Sequence, residues 1–472
     1  MAIRSGAEYR ESLQDGRTVF VAGERLADVT AYPPFSGVIH SLCGLYDLQH
    51  ERPDDLTYRD ENGEHCALSF LPAKSADDVI RRQRADELRA ETTFGLMGRM
   101  PDFMNAVVTD VALGMRDHPT LDAAYLENLQ RYQRDCRAND WCLTHTLVDP
   151  QVDRSRGPAE QADPELVLHR VRETDAGIVV RGARMLSTLA PFANELWVGP
   201  FYPRRPGEED YALCFAMPMG TPGLRFLCRE PYDLGRGSFD RPLSSRFDEE
   251  DALAIFDDVL VPWERVFVAG DLTAYNDLVP SVPGLTFLQA ATRGLVKLRF
   301  LIGLAARLAE AIGRDSDPHH QLRLGEVAAQ VEVLAGALRG GLAEVVDRLR
   351  DGTPLRALPA LLFVAIPDLQ IRAIDVIRRV SGSGLVMTPT EADLDHAEIG
   401  PVVERFLQGR AVGGRNRVRL FKLAWDMVGE PFGSRQMLYE WFYAGDPQVN
   451  RIRFGSTPEV ERYKQMVEPL LI

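Results

Sequence analysis

Apolar residues change their period twice along the chain. Over residues 1–144 they recur mostly at helical spacing, with turns marked by Pro33-Pro34 and Pro53-Asp54-Asp55. Residues 77–93 read as a charged surface helix with Ser75 as its N-cap. Phe103, Ala106, Val107 and Val111 line one face of a second helix over 102–114. From 145 to 270 the pattern becomes that of short strands. Segments 166–171 and 177–181 flank the turn Glu173-Thr-Asp-Ala176, a hairpin signal. Further strands are expected at 196–199, 211–217, 224–228 and 252–256, punctuated by Gly, Pro and Asp. From 271 to 472 the helical period returns. Leu301, Leu304, Leu308 and Ile312 share one face. Leu324, Val327, Val331, Leu334, Leu338, Val345 and Leu349 share another at near-heptad spacing, with Gly336, Gly340 and Gly341 among them. Such a stripe belongs to a bundle core or to a subunit contact.

The pattern predicts an N-terminal helical domain (1–144), a β-sandwich or barrel domain (145–270) and a C-terminal helical bundle with a tail (271–472), an α+β chain. Its 472 residues can bury a sizeable core. A net charge of −15 argues against a nucleic-acid partner, which needs clustered Lys and Arg. No run of about 18 apolar residues is present, so no membrane span is expected. The start lacks the apolar core of a signal peptide, which points to the cytoplasm. Cys43, Cys66, Cys136, Cys142, Cys214 and Cys228 are dispersed, with no CxxC pair, and read as reduced thiols. His319-His320 after Pro318 reads as a solvated helix start, and no spacing suggests zinc.

Several chemistries are missing. There is no GxGxxG after an early strand, no Walker A motif and no GxSxG elbow. A redox enzyme with this sequence has to receive its reduced cofactor from elsewhere. One stretch stands out, Leu143-Thr-His-Thr-Leu-Val-Asp-Pro-Gln-Val-Asp-Arg-Ser155. It sets His145 in an apolar strand before a polar turn. An imidazole there can orient or deprotonate a bound hydroxyl near neutral pH, and Gln151, Asp153 and Arg154 can hold a polar cofactor. A satisfied core histidine beside an ordinary loop explains the same residues. Ser381-Gly-Ser-Gly384 suits either a ribose or phosphate or a helix-ending turn.

That stretch closely resembles the matching segment of the 4-hydroxyphenylacetate 3-monooxygenase oxygenase-component family. Other segments do so in order: Arg17-Thr-Val-Phe-Val-Ala-Gly-Glu-Arg25 with Asp28-Val-Thr30, Leu45-Tyr-Asp-Leu-Gln-His50, and Gly95-Leu-Met-Gly-Arg-Met-Pro-Asp-Phe103. Gly182-Ala-Arg-Met185, Pro242-Leu-Ser-Ser-Arg-Phe247, Phe256-Asp-Asp-Val-Leu-Val-Pro-Trp-Glu-Arg265 and Tyr439-Glu-Trp-Phe-Tyr-Ala-Gly-Asp446 follow. Each is weak alone; their order and spacing carry the resemblance. It implies an acyl-CoA-dehydrogenase-like fold, a homotetramer, and hydroxylation of an aromatic ortho to a hydroxyl with FADH2 and O2. A separate NAD(P)H:flavin reductase is the implied partner.

The family surrounds the substrate's phenolic hydroxyl with an Arg, a Tyr and a His. The matching residues are Arg99, Phe103 and His145, so the tyrosine hydroxyl is absent and a different aromatic is the alternative substrate: a chlorophenol, an aminoaromatic or a carrier-tethered tyrosine. Flavin positions carried over by the resemblance are His145, Thr146, Leu147, Gln151, Val152, Asp153, Arg154, Thr188, Tyr443, Ala444, Gly445 and Asp446. The same superfamily holds a CoA-ester dehydratase with an iron–sulfur cluster. Its cysteines lie in the Arg99–Phe103 region, where Arg99 and Phe103 are not cysteines, and the later ligand region near Ala290-Ala-Thr-Arg293 offers neither His nor Cys, so no cluster is expected. A flavin-dependent CoA-ester dehydratase or isomerase stays as the remaining reading.

Overall fold

The structure, a computed structural model, describes residues 3–471. Contacts divide the chain into two compact units, Met1–Arg293 with Val345–Pro354, and Gly294–Glu344 with Leu355–Ile472. The first helical segment and the β-rich segment share the first unit.

Within that unit, α1 (Ala76–Thr92) starts on a capping box in which the Ser75 hydroxyl accepts from Asp78 N–H and the Asp78 carboxylate accepts from Ser75 N–H. The helix is less superficial than its charge suggests. Arg82, Asp86 and Arg89 are buried, and the Arg82 guanidinium donates to Leu71 O. α2 (Pro101–Gly114) opens on a proline, which lacks the N–H that a first turn leaves unpaired.

Among the described residues, twelve strands form three sheets. β1 (Val19–Val21), β2 (Glu24–Leu26), β6 (His169–Thr174), β7 (Gly177–Thr188), β10 (Leu224–Cys228) and β11 (Asp251–Pro262) build a six-stranded sheet ordered β2-β1-β10-β11-β7-β6. β3 (Thr57–Arg59) and β4 (His65–Ala67) form a separate hairpin. β5 (Leu143–Thr146), β8 (Glu195–Val198), β9 (Leu213–Pro218) and β12 (Val266–Ala269) form a second sheet ordered β12-β9-β8-β5. The hairpin expected around Glu173–Ala176 is β6–β7. The N-terminal β1 enters the larger sheet parallel to β10, a long-range pairing that local pattern does not announce.

One irregularity positions the site. On β7, Ser187 faces Ala252 and Arg184 faces Ala254, so β7 carries one extra residue across that step. The bulge lies at Met185 and Leu186, and Leu186 has φ +60°. There β7 turns to β5: Met185 N–H donates to Val148 O at 2.7 Å. The Thr146 hydroxyl donates to Met185 O at 3.3 Å, and the Thr144 hydroxyl donates to Thr188 O. The two sheets are thus joined where β5 meets the end of β7.

In the C-terminal part, α3 (Leu285–Ala311) buries Leu301, Leu304 and Leu308; Ile312 follows the helix end, half-buried. α4 (Pro318–Asp351) buries Val327, Val331, Leu338 and Val345 from the expected stripe, with Leu324, Leu334 and Leu349 half-buried. Of its glycines, Gly341 is pressed: a Cβ there would lie 2.5 Å from Leu358 Cδ2, while Gly336 and Gly340 face open space. α5 (Ile366–Ser381) ends at Gly382, φ +53°. A Cβ on Gly384 would meet the Phe421 ring at 2.5 Å, so packing accounts for that glycine. All six cysteines are free thiols, and Asp317 Oδ1 caps His319 and His320. Among the described residues no helix is long and apolar enough to cross a membrane, and no group of His, Cys, Asp and Glu is placed to hold a metal.

Candidate active site

Arg99 lies in the turn between α1 and α2, where Phe94 (φ +54°) and Gly95 (φ +67°) reverse the chain. Leu96, Met97 and Met100 anchor the turn in the core. Phe103 is in the first turn of α2, and the Arg99 guanidinium carbon sits 4.1 Å from its ring centroid. A cation over a ring face is attractive by ~0.5–2 kcal/mol, depending on burial. From the other side, β5 brings His145, whose ring centroid is 5.9 Å from that of Phe103, tilted by 56°. β5 pairs parallel with β8, His145 opposite Trp197. The three residues, dispersed in sequence, therefore meet in one place.

His145 is buried, and neither ring nitrogen has a hydrogen-bond partner. Burial, and then the positive charge of Arg99, hold its pKa well below the usual histidine value. The imidazole is neutral at neutral pH and able to accept a hydrogen bond. A buried polar ring left without partners is unfavourable unless a ligand supplies them. A phenolic hydroxyl meets both demands: it donates to the imidazole, and the guanidinium stabilises its oxygen as charge develops. Phe103 contributes a face and no hydroxyl.

The expected flavin positions divide. Thr146 is fully buried, and Leu147 O accepts from Arg184 at 2.8 Å. Gln151, Val152, Asp153 and Arg154 lie on an exposed loop. Asp153 turns back on Ser155 N–H (3.0 Å) and hydroxyl (2.6 Å), and the Gln161 amide donates to three backbone carbonyls of the loop, so the loop holds its own shape. The Thr188 hydroxyl donates to Asp251 Oδ1 at 2.6 Å. Its single proton is committed there, which leaves Thr188 able to accept from a ligand; donation to one requires the hydroxyl to turn from Asp251. Tyr443, Ala444, Gly445 and Asp446 belong to the second unit. Gly445 has φ +97°, and Asp446 caps the following helix through Gln448 N–H at 2.7 Å and Val449 N–H at 3.2 Å.

Residues to which the motifs assign no role complete the surroundings. Asp149, just past β5, bridges Arg184 at 2.9 Å and Arg204 at 2.7 Å. Burial raises the Asp149 pKa, but the two guanidinium groups outweigh it and leave the carboxyl below its ordinary range. Glu249 Oε1 accepts from the Arg99 backbone N–H at 2.7 Å. Beside it, Glu250 is pushed up to about 9 by burial, which Arg229 at 3.6 Å only partly offsets. No local pattern flags these residues, because each partner is distant in sequence. The Ser187 hydroxyl and Arg184 Nε and Nη2 are also buried without partners. Such orphaned groups around β5 and the end of β7 fit a polar ring system such as a flavin.

An acyl-CoA-dehydrogenase-like fold with a buried imidazole and guanidinium at this joint is the frame of a flavin-dependent aromatic monooxygenase. The chain belongs to the 4-hydroxyphenylacetate 3-hydroxylase family: the family's N-terminal model matches residues 5–268 and its C-terminal model residues 277–471. The 4-hydroxyphenylacetate 3-monooxygenase oxygenase component of Geobacillus sp. is 37% identical over all of this chain and 97% of its own length. That of Thermus thermophilus is 38% identical over 99% of this chain and 97% of its own length. A solved oxygenase component complexed with FAD and 4-hydroxyphenylacetate superposes with a TM-score of 0.89 at 38% identity, covering 99% of both chains. More distant relatives, each 32% identical over 95% of this chain, are a Rhodococcus 4-nitrophenol 2-monooxygenase oxygenase component (87% of its length) and a Streptomyces globisporus monooxygenase of a carrier-bound chlorohydroxyphenyl β-amino acid (86%). At 12% identity and a TM-score of 0.54, over 95% of this chain and 92% of its own, glutaryl-coenzyme A dehydrogenase shares the fold. The enzyme is an oxidoreductase that uses FAD.

Proposed function

We propose that the chain hydroxylates a phenolic ring ortho to its hydroxyl, with Arg99 and His145 as the catalytic pair. The observation that carries this reading is the neutral, unpartnered imidazole of His145 beside Phe103 and within the field of Arg99. His145 accepts or orients the phenolic proton. Arg99 holds the phenolate oxygen, which makes the ortho carbon electron-rich. Phe103 packs against the ring and excludes water. Backbone groups of His145, Thr146, Leu147 and the 151–154 loop, with Thr188, would hold the reduced FAD. When bound, that cofactor supplies oxygen activated from O2. A separate flavin reductase delivers it.

The missing hydroxyl at Phe103 favours one class of phenol. With one hydrogen-bonding group fewer, the pocket stabilises a phenolate less, so phenols more acidic than the ~10 of an unsubstituted one bind as anions more readily. Nitro- or chloro-substituted phenols fit that demand, as do the names of two relatives. Oxygen uptake and catechol formation with chemically reduced FAD, across a panel of 4-substituted phenols of graded acidity, test both statements. Hydroxylation that rises with phenol acidity supports them, and no catechol from any phenol refutes the assignment. We further propose a homotetramer in which part of the α4 surface is covered by another subunit; Leu322 (62% exposed) and Val333 (70%) lie off its buried stripe.

A further inference from the structure

The phenol side and the flavin side of the site are connected through a segment that neither motif contains. Residues 249–251 lead into β11, and they touch both sides. Glu249 is fully buried, and its Oε1 accepts the Arg99 backbone N–H at 2.7 Å. Leu189 N–H, directly after Thr188, is shared between Glu249 O and Glu250 O, 3.0 Å from each. Asp251 Oδ1 accepts the Thr188 hydroxyl at 2.6 Å. Arg229 in turn fixes Asp251 through Oδ2 at 3.1 Å and Asp248 at 2.5 Å. Two residues hold left-handed backbone within this short span, Leu189 at φ +68° and Glu250 at φ +49°. Such conformations are unfavourable for residues with a Cβ and persist where surrounding contacts over-determine them.

We infer that Glu249 and Asp251 are positioning residues that set the separation between Arg99 and Thr188, and so between the phenol and the flavin. This rests on the functional reading above. A carboxylate that accepts a backbone N–H makes a short, charge-assisted bond with little freedom to drift. Glu249 therefore fixes the Cα from which the Arg99 side chain springs. Asp251, two residues on, fixes the rotamer and lone-pair direction of Thr188. Ring hydroxylation demands that the ortho carbon meet the activated oxygen within a few tenths of an ångström, and misplacement by ~1 Å costs on the order of 10²-fold in rate. A link of three residues between the two anchors is a short, stiff means of holding that distance.

4-Nitrophenol tests the phenol arm without any flavin, because its phenolate is coloured. The flavin-free enzyme is mixed with it, and the fraction bound as phenolate is read by absorbance. Arg99→Ala and His145→Ala should each lower that fraction at least ~10-fold, as a cation or a proton acceptor is lost. Glu249→Asp keeps the charge and withdraws the acceptor by about one bond length; a comparable loss is expected. Glu249→Gln keeps an acceptor at the same reach and should stay within ~3-fold of the parent. Asp251→Ala should leave the phenolate signal unchanged and weaken reduced-FAD binding in anaerobic titration. If Arg99→Ala and His145→Ala change nothing, the functional reading fails. If they act while Glu249→Asp does not, or if Asp251→Ala and Glu249→Asp move both readouts equally, the positioning role is overturned. The expected split in turnover is more hydrogen peroxide per product for Glu249→Asp, with rescue by Glu249→Gln.

Discussion

At the scale of single residues, protonation states set the chemistry. His145 is kept neutral by burial and by Arg99, so its folded pKa lies below its unfolded one. The stability linked to it is present above about pH 6.5 and falls as pH drops. Nitrogen NMR of His145 should show a neutral ring at pH 6.5, with protonation only at clearly lower pH; a midpoint at the ordinary value would contradict the site's electrostatics. His145→Ala should cut hydroxylation by ~10²–10⁴-fold, while flavin oxidation by oxygen continues and releases hydrogen peroxide. Glu250 behaves in the opposite sense. Its folded pKa of about 9 exceeds the 4.5 of a free glutamate, so the folded chain holds a proton that the unfolded chain releases. The associated stability is full below pH 4.5 and is lost progressively as pH rises towards 9. Glu250→Gln removes the titration and keeps the shape. Thermal melts should show the variant gaining on the parent across pH 6–9, and parallel curves would show that Glu250 is already ionised.

At the scale of elements, the site depends on where β5 meets the bulged end of β7. The extra residue turns Met185 to Val148, while Ser187 and Thr188 beyond it keep their pairing with Ala252 and Asp251 on β11. Asp149 locks the same joint by holding Arg184 and Arg204 together. Asp149→Ala removes the shared acceptor of two buried guanidinium groups. The loss should be about 1.5–3 kcal/mol in denaturant unfolding, the range for hydrogen bonds to charged groups. Hydrogen exchange should quicken in the 150–157 loop more than in β9 or β10. Uniform exchange across the unit would mean that Asp149 only stabilises and does not shape the loop. In the second unit, Lys297 on α3 is fully buried and donates to Gln436 at 2.6 Å and Glu440 at 3.0 Å. Lys297→Ala removes a buried cation from beside Glu440 and should cost ~3–5 kcal/mol, whereas breaking an exposed pair such as Arg307–Glu310 should cost at most ~1 kcal/mol.

At the scale of the whole molecule, the helical stripe on α4 is largely consumed by its own chain, with Val327, Val331, Leu338 and Val345 buried. The proposed tetramer should therefore use other surface, such as that around Leu322 and Val333. Light scattering at micromolar concentration should report four subunits, and a monomer would refute the tetramer. Leu322→Lys with Val333→Lys should shift the distribution towards smaller species with little change in the melting of each chain. With a net charge of −15, docking to a basic surface on the reductase would be weakened by salt, so reductase-coupled turnover should slow with salt more than turnover fed with chemically reduced FAD.

The amino-acid order alone determined the element types, because helical and strand periods are local properties of the chain. The Ser75 cap, the helix at 102–114 and the β6–β7 hairpin were legible for that reason. Arg99, Phe103 and His145 were legible through the family's ordered segments, and the sequence showed that one of the three lacks its hydroxyl. Their meeting was a matter for tertiary structure, since 46 positions separate Arg99 from His145 in the sequence, and the packing of His145 on β5 beside Phe103 on α2 closes that gap. The buried charges on α1 looked like surface residues, because charge pattern alone does not reveal a partner 11 residues earlier such as Leu71 O. Glu249, Asp251, the ion pairs of Asp149 and the bulge at Leu186 were invisible for the same physical reason. Burial and hydrogen bonding between distant segments raise or lower a pKa, commit a hydroxyl or bend a strand, and none of these leaves a period in the sequence.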